Sequence, residues 1–380
     1  MKKLLNSILK FTFCTSVFMS CTKAYNPPAS QVNYKYLVID GVLANSPDSP
    51  SVIRLSRTVQ LTDTATSSTP EAGAKVSVQG SSGENFSFTE LPGGLYKSVP
   101  LILNYNEQYR LKITTSGGSQ YESDYVPVEQ TPSIDSITWM QKNDVTISAN
   151  THDPTNNAKY YRWDFVETWQ YTATYDRTIA ESNGVIYYVD STNQTYNCWS
   201  SDVSTDILLG STIALAQDVI SQQPIALIPQ NDDKISVRYS ILVKQYAITQ
   251  DAYQYFSILK KNTENLGSIF DAQPTQLAGN IHSLTNPSEV VIGYVTASSV
   301  AQQRIFIDNN QLYDWASVYN GPDCNLKIIL QNPNDFTLYN YPDTSYAPYY
   351  YVSPDEIELA KKPCVDCTTR GGTTTRPAFW

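Results

Sequence analysis

The feature that most constrains this chain is a succession of short apolar segments with period two, cut by turn residues at intervals of roughly ten. YKYLVIDGVL starts at Tyr34 and contains Gly41, and VIRLSRTV sets Val52, Ile53, Leu55 and Val59 around Arg54 and Arg57. AKVSVQG is followed by Ser81-Ser82-Gly83, and NFSFTEL ends at Pro92-Gly93-Gly94. LYKSVPL, QYRLKITT and QYESDYVPV complete the series, with Gly117-Gly118 between the last two. Alternate residues of a strand face opposite sides of the pleat, and Ser/Gly and Pro-Gly pairs close hairpins. The spacing predicts a β-sandwich over residues 33–130.

A larger β-rich domain is expected over residues 131–362. Its strand segments are IDSITW, DVTISAN, YYRWDFVETWQYTATY, VIYYVD, ISVRYSILVKQYAI, VVIGYVTA and QRIFID, rich in β-branched and aromatic side chains. Asp153-Pro154-Thr155-Asn156-Asn157 reads as a turn and 267–288 as a loop. One amphipathic helix is expected near 249–266. Thr249 would cap it, Ala252, Tyr255, Phe256 and Leu259 recur at helical spacing, and Leu266-Gly267 would end it. A short C-terminal helix is expected from Ser353, where Ser353 and Glu356 have capping-box spacing and Pro354 would occupy the first turn. Residues 363–380 form a cysteine-containing tail. The fold class is therefore mainly β.

The N-terminus reads as an export signal. Lys2 and Lys3 precede an apolar run from Leu4 to Met19, which ends at Ser20-Cys21. That run fits residues 1–20 as a signal peptide better than as a membrane span. A small residue before Cys21 resembles a lipobox, which makes Cys21 the expected lipidation site and 21–32 a Pro/Ala/Ser-rich linker. Acyl chains on Cys21 would tether the body to a membrane. The formal charge of -10 repels phosphate backbones, so nucleic acid is not an expected partner.

Cys198, Cys324, Cys364 and Cys367 remain after the leader. Export implies an oxidising compartment, so disulfides are expected. Four cysteines allow three pairings, and the sequence does not choose among them. Cys364 and Cys367 form a C-x-x-C, but in a Gly/Thr-rich tail rather than the βαβ setting of a redox motif. A zinc site would need a second close pair. No metal or cofactor is expected.

Catalytic apparatus is sparse. The two histidines, His152 and His282, adjoin turn residues, and no G-x-S-x-G or H-E-x-x-H is present. Asp164 and Glu167, beside two tryptophans, are the one carboxylate pair that invites inspection for a hydrolase with dispersed carboxylates. Asn231-Asp232-Asp233 lacks the ligand spacing of a calcium loop. The chain is not expected to be an enzyme. Trp163, Trp169 and the cluster Tyr346, Tyr349, Tyr350 and Tyr351 are candidates for a contact surface, because such rings offer large area with a polar tip.

These segments carry a family likeness. The lipobox, YLVIDGVL, IRLSRTVQLTD, FTELPGGLYKS, the block from RYSILVKQYAITQDAYQYFSILKK to QLAGNIHS, and the terminal PCVDCTTRGGTTTRPAFW together resemble the domain-of-unknown-function 4249 lipoproteins of Bacteroidota. The resemblance implies a lipid-anchored outer-membrane protein, periplasmic or surface-facing, that serves as a binding or accessory partner of a TonB-dependent β-barrel transporter. It carries over no catalytic residues. Residues 33–130 separately resemble carboxypeptidase-regulatory or transthyretin-like sandwiches, which implies an Ig/transthyretin-like β-sandwich there. A surface glycan- or nutrient-binding lipoprotein using the Tyr/Trp clusters is the other reading.

Overall fold

A computed structural model describes residues 35–59, 68–183, 185–264, 279–316, 323–330 and 344–380. The signal segment, Cys21, the linker and Leu266-Gly267 lie outside these residues. The chain is mainly β, as its alternation requires.

The first strands close into a ring. Pairing runs through Gln108–Thr114, Lys75–Gly80, Asn85–Leu91, Leu95–Ser98, Val52–Arg57, Leu37–Asn45, Thr296–Ser299 and Val126–Glu129, then returns to Gln108–Thr114 at Tyr109↔Val126. Leu37, Ile53, Leu55, Val78 and Leu111 fill the interior with Tyr96, Tyr109 and Tyr121. Each tyrosine hydroxyl finds a partner. Tyr96 donates to the Glu71 carbonyl at 2.8 Å, Tyr121 donates to Glu289 at 2.8 Å, and Tyr109 accepts from the Asn104 N–H at 2.9 Å. Burying the rings is therefore favourable without stranding a polar atom.

The ring is not built from residues 33–130 alone. Ile281–Ser283, Val291–Gly293 and Thr296–Ser299 return from far along the chain to join it. The last two pair in parallel with Leu37–Asn45, which needs a long crossover, and alternation alone does not name the partner. Leu37–Asn45 pairs first with Val291–Gly293, up to Ile39↔Gly293, and then with Thr296–Ser299 from Val42↔Thr296. At the switch Gly293 has φ +149°, and a Cβ there would lie 2.3 Å from the Ile39 carbonyl oxygen. Only glycine fits.

A second layered unit follows. Its main sheet orders Asn197–Val203, Tyr160–Thr172, Arg238–Ala247 and Ala301–Asp308, with Leu208–Ser211 on the first half of the long strand. The facing sheet holds Ile134–Gln141, Val145–His152 and Val219–Ile228. Tyr161, Trp163, Tyr239, Ile241 and Ile307 meet Val145, Ile147 and Ala149 in the core between them.

The expected helix spans Gln250–Glu264, and Thr249 Oγ1 accepts from the Ala252 N–H at 3.3 Å. Ala252, Tyr255 and Phe256 are buried against Val42 of the ring and Tyr246 of the main sheet, so the helix wedges the two units together.

The helix expected from Ser353 is not formed. Tyr346–Ser353 and Glu356–Lys361 make a hairpin around Pro354-Asp355, flanked by Lys327–Leu330. Pro354 suits a β-turn as well as a helix start, and Ser353 donates to Asp355 at 2.7 Å. The deciding residues are Ile357 and Leu359, fully buried at strand spacing. The short C-terminal helix lies further on, at Lys362–Val365.

Disulfides join Cys198 to Cys367 and Cys324 to Cys364. The C-x-x-C is thereby split between two distant partners. The first bond spans 169 residues and the second 40.

Two outcomes follow. Gly293→Ala should lower unfolding stability by about 1–3 kcal/mol, through the strained φ and the backbone clash, read from denaturant unfolding. Replacing Cys198 and Cys367 together by serine should cost about 2–5 kcal/mol under oxidising conditions, because a long loop is released in the unfolded state. The same double variant should match the parent once both are reduced.

Candidate functional site

Residues three apart on a strand face opposite sides. Asp164 and Glu167 therefore diverge on the long strand Tyr160–Thr172 and do not form a catalytic pair. Glu167 points into the core side, where Tyr239 donates to it at 2.9 Å and Lys234 forms an ion pair with it. Burial, then the Glu167 charge, pushes the Tyr239 phenol far above its ordinary value. Asp164 faces the other way, into a cleft of about 270 Å³ between the ring and the main sheet.

That cleft gathers charges. Asp40 and Arg54 come from the ring, and Arg162, Asp164, Lys244 and Tyr246 from the main sheet. Register places Asp164 directly opposite Lys244 and Arg162 opposite Tyr246. Burial raises the Asp164 carboxyl, opposed by the Lys244 and Arg162 charges and a hydrogen bond with Tyr246. Arg162 approaches Asp40 at 3.7 Å and stacks 4.5 Å over Phe256 of the helix. Its Nη1 is buried without a hydrogen-bond partner among the described residues. These groups hold the two units in register by charge as the helix holds them by packing.

The histidines lie apart. His152 Nδ1 meets Asp135 at 2.8 Å and His282 Nε2 meets Asp124 at 3.1 Å, both on the surface. The bond and charge of Asp135 raise the His152 pKa. Asn231-Asp232-Asp233 is spent on structure. Asn231 accepts from the Ala316 N–H at 3.0 Å, Asp232 caps a helical turn, and Asp233 pairs with Arg370.

The aromatic candidates separate by burial. Trp163 is fully buried, stacks on Tyr161 at 5.7 Å and donates its indole N–H to Gln245 at 2.9 Å. It is a core residue, not a contact residue, because its position in the alternation faces the second sheet. Tyr346 is likewise buried, and Trp169 is half-buried with Lys234 Nζ 5.0 Å over its ring. Tyr349 packs on Tyr175 at 4.9 Å and Tyr351 on Tyr188 at 5.6 Å. Tyr350 alone of the cluster is exposed, at 50%. It shares the outer side of the small sheet with Val352, Ile328 and Leu330, all exposed. Register lays Glu358 between Ile328 and Tyr350, with Glu356 opposite Leu330. The result is an apolar face with an acidic spine.

A second feature was not visible in the sequence. Cross-strand register sets Trp199, Gln170, Arg238 and Asp308 in one row over four strands. Trp380 covers the row, completing an open pocket of about 380 Å³. Nothing in the sequence brings residues 170, 199, 238 and 308 together; strand order does.

The family model described as Domain of unknown function (DUF4249) matches residues 22–304. The chain belongs to the DUF4249 family. The matched DUF4249 region contains the ring, the helix and every charged residue of the cleft. No curated protein matches the chain. Among solved structures, the adhesin InvE of Yersinia pseudotuberculosis aligns at 12% identity and a TM-score of 0.15, over 55% of this chain and 54% of that one. The DUF4249 chain thus spans about half of that protein's length, and a likeness at this level carries no argument about fold or function.

Glu167→Leu should destabilise the protein by about 3 kcal/mol, since it strands the buried Tyr239 hydroxyl and unpairs Lys234. Chemical denaturation of the variant against the parent measures this. A change under about 0.5 kcal/mol, the range of ordinary surface substitutions, would show that the pair is not structural.

Proposed function

We propose that this DUF4249 protein is an outer-membrane lipoprotein, anchored through acylated Cys21, that acts without catalysis as an accessory partner of a TonB-dependent transporter or related envelope barrel. The observation that carries the reading is the outer face of the small sheet. Ile328, Leu330, Tyr350 and Val352 are 58, 54, 50 and 46% exposed and flank Glu356 and Glu358. Exposed apolar side chains on either side of a central acidic row offer a partner protein both burial and charge complementarity. Two disulfides brace the elements next to that face, which keeps it rigid and lowers the entropy cost of docking. The leader and the lipobox support tethering at a membrane by lipid. On architecture, we read the closed ring as a flattened Ig- or transthyretin-like sandwich, followed by the larger β-rich domain.

Affinity purification of the full chain from native membranes in mild detergent should recover an integral β-barrel protein. Ile328→Asp combined with Tyr350→Ala should reduce that recovery at least about tenfold, a loss of about 1.4 kcal/mol, while leaving thermal stability unchanged. Recovery of both forms solely as monomers would overturn the partnership. An unmodified residue 21 in the intact mass of membrane-extracted protein would overturn the anchor.

A further inference from the structure

The row beneath Trp380 is built from side chains of a particular kind. Trp380 stands edge-on to Trp199, with centroids 6.4 Å apart at 82°, and edge-on to Phe306 at 5.7 Å and 82°. These contacts fix its ring. Its indole N–H donates to Gln170 at 3.3 Å, and Gln170 donates in turn to Asn197 at 3.2 Å. The relay orients two planar amides along the pocket wall. Arg238 lies 3.3 Å from Asp308 and stacks 4.3 Å over Phe306, so its charge is balanced and its plane is set. Arg376 is held by the Trp380 carbonyl at 2.6 Å.

Two donors of the row, Trp199 Nε1 and Arg238 Nε, are buried without a hydrogen-bond partner among the described residues. A buried donor without an acceptor is unfavourable, and a ligand oxygen would relieve it. The pocket volume of about 380 Å³ falls within the range of roughly 300–1,000 Å³ common to small-ligand sites. Asp308 opposes a bare anion, while amides, an acid and a guanidinium held flat suit paired hydroxyls. Rings of tryptophan suit an apolar C–H face.

We propose that this pocket is a saccharide site that takes a neutral sugar ring of a glycan. The ring's C–H face rests on the Trp380 wall. Its hydroxyls exchange hydrogen bonds with Asn197, Asp308 and Arg238, and one hydroxyl oxygen accepts from the Trp199 N–H. The site lies on the main sheet rather than on the small one, so it stands independently of the transporter partnership.

The test uses the full mature chain and a panel of neutral hexasaccharides: malto-, cello-, xylo-, manno- and chito-series, with a polygalacturonate hexamer as the anionic control. Calorimetry should show binding to at least one neutral series, with a shift in tryptophan fluorescence. Trp199→Phe keeps an aromatic ring but removes the donor, and Asn197→Ala alters an exposed amide. Each should weaken that binding at least about tenfold with an unchanged melting temperature. Ile328→Asp combined with Tyr350→Ala should leave sugar binding intact. The proposal is overturned if no neutral series binds, if only the anionic hexamer binds, or if both pocket variants bind as the parent does.

Discussion

The two-sided alternation of the strand Tyr160–Thr172 governs the second half of the molecule. Its odd-numbered side chains, including Tyr161, Trp163 and Trp169, pack toward the facing sheet. Its even-numbered ones, Tyr160, Arg162, Asp164 and Gln170, meet the helix, the charged cleft and the Trp380 pocket in turn. One strand thus supplies a wall of the core and a floor for each polar feature. A slip of one residue would exchange the two sets, placing Arg162 and Asp164 in the core. The cost of burying unpaired charge holds the register in place.

Two kinds of bond tie the remaining parts to this frame. The helix and the cleft join the ring to the main sheet, one by apolar contact through Val42 and Tyr246, the other by the charges of Asp40, Arg162 and Lys244. The disulfides fasten the C-terminal segment. Cys367 reaches the sheet through Cys198, while Cys364 reaches the strand-flanking Cys324. Tyr171 packs on the first bond and donates to the Cys367 carbonyl at 2.9 Å. Beyond it Thr373 bridges to Trp199, and the chain carries on to place Trp380 over the row. A covalent staple therefore stands behind the lid of the pocket.

The exposed features divide by chemistry. The small sheet offers apolar side chains on both sides of a central row of glutamates, suited to a protein surface. The main sheet offers a walled pocket of aromatic and planar polar groups, suited to a small polyhydroxylated ligand. The histidines and the Asn231-Asp232-Asp233 run serve ion pairs, a cap and a backbone contact.

Much of the fold was legible from local pattern. Alternation with Gly and Pro punctuation named the strands from Leu37 to Glu129, and helical spacing with Thr249 named Gln250–Glu264, because both signals are carried by residues close in sequence. Ser353-Pro354 misled, since a capping box and a β-turn use the same residues and only the burial of Ile357 and Leu359 separates them. The sequence by itself determined the mainly β class, the amphipathic helix and the four cysteines available for bonding. Tertiary structure alone decided which cysteines pair, that Trp163 is buried while Tyr350 is exposed, that residues 281–299 complete the first ring, and that Trp199, Gln170, Arg238 and Asp308 share a row. The physical reason is that periodicity says which way a side chain points, while strand order and register, set by contacts distant in sequence, say what it points at.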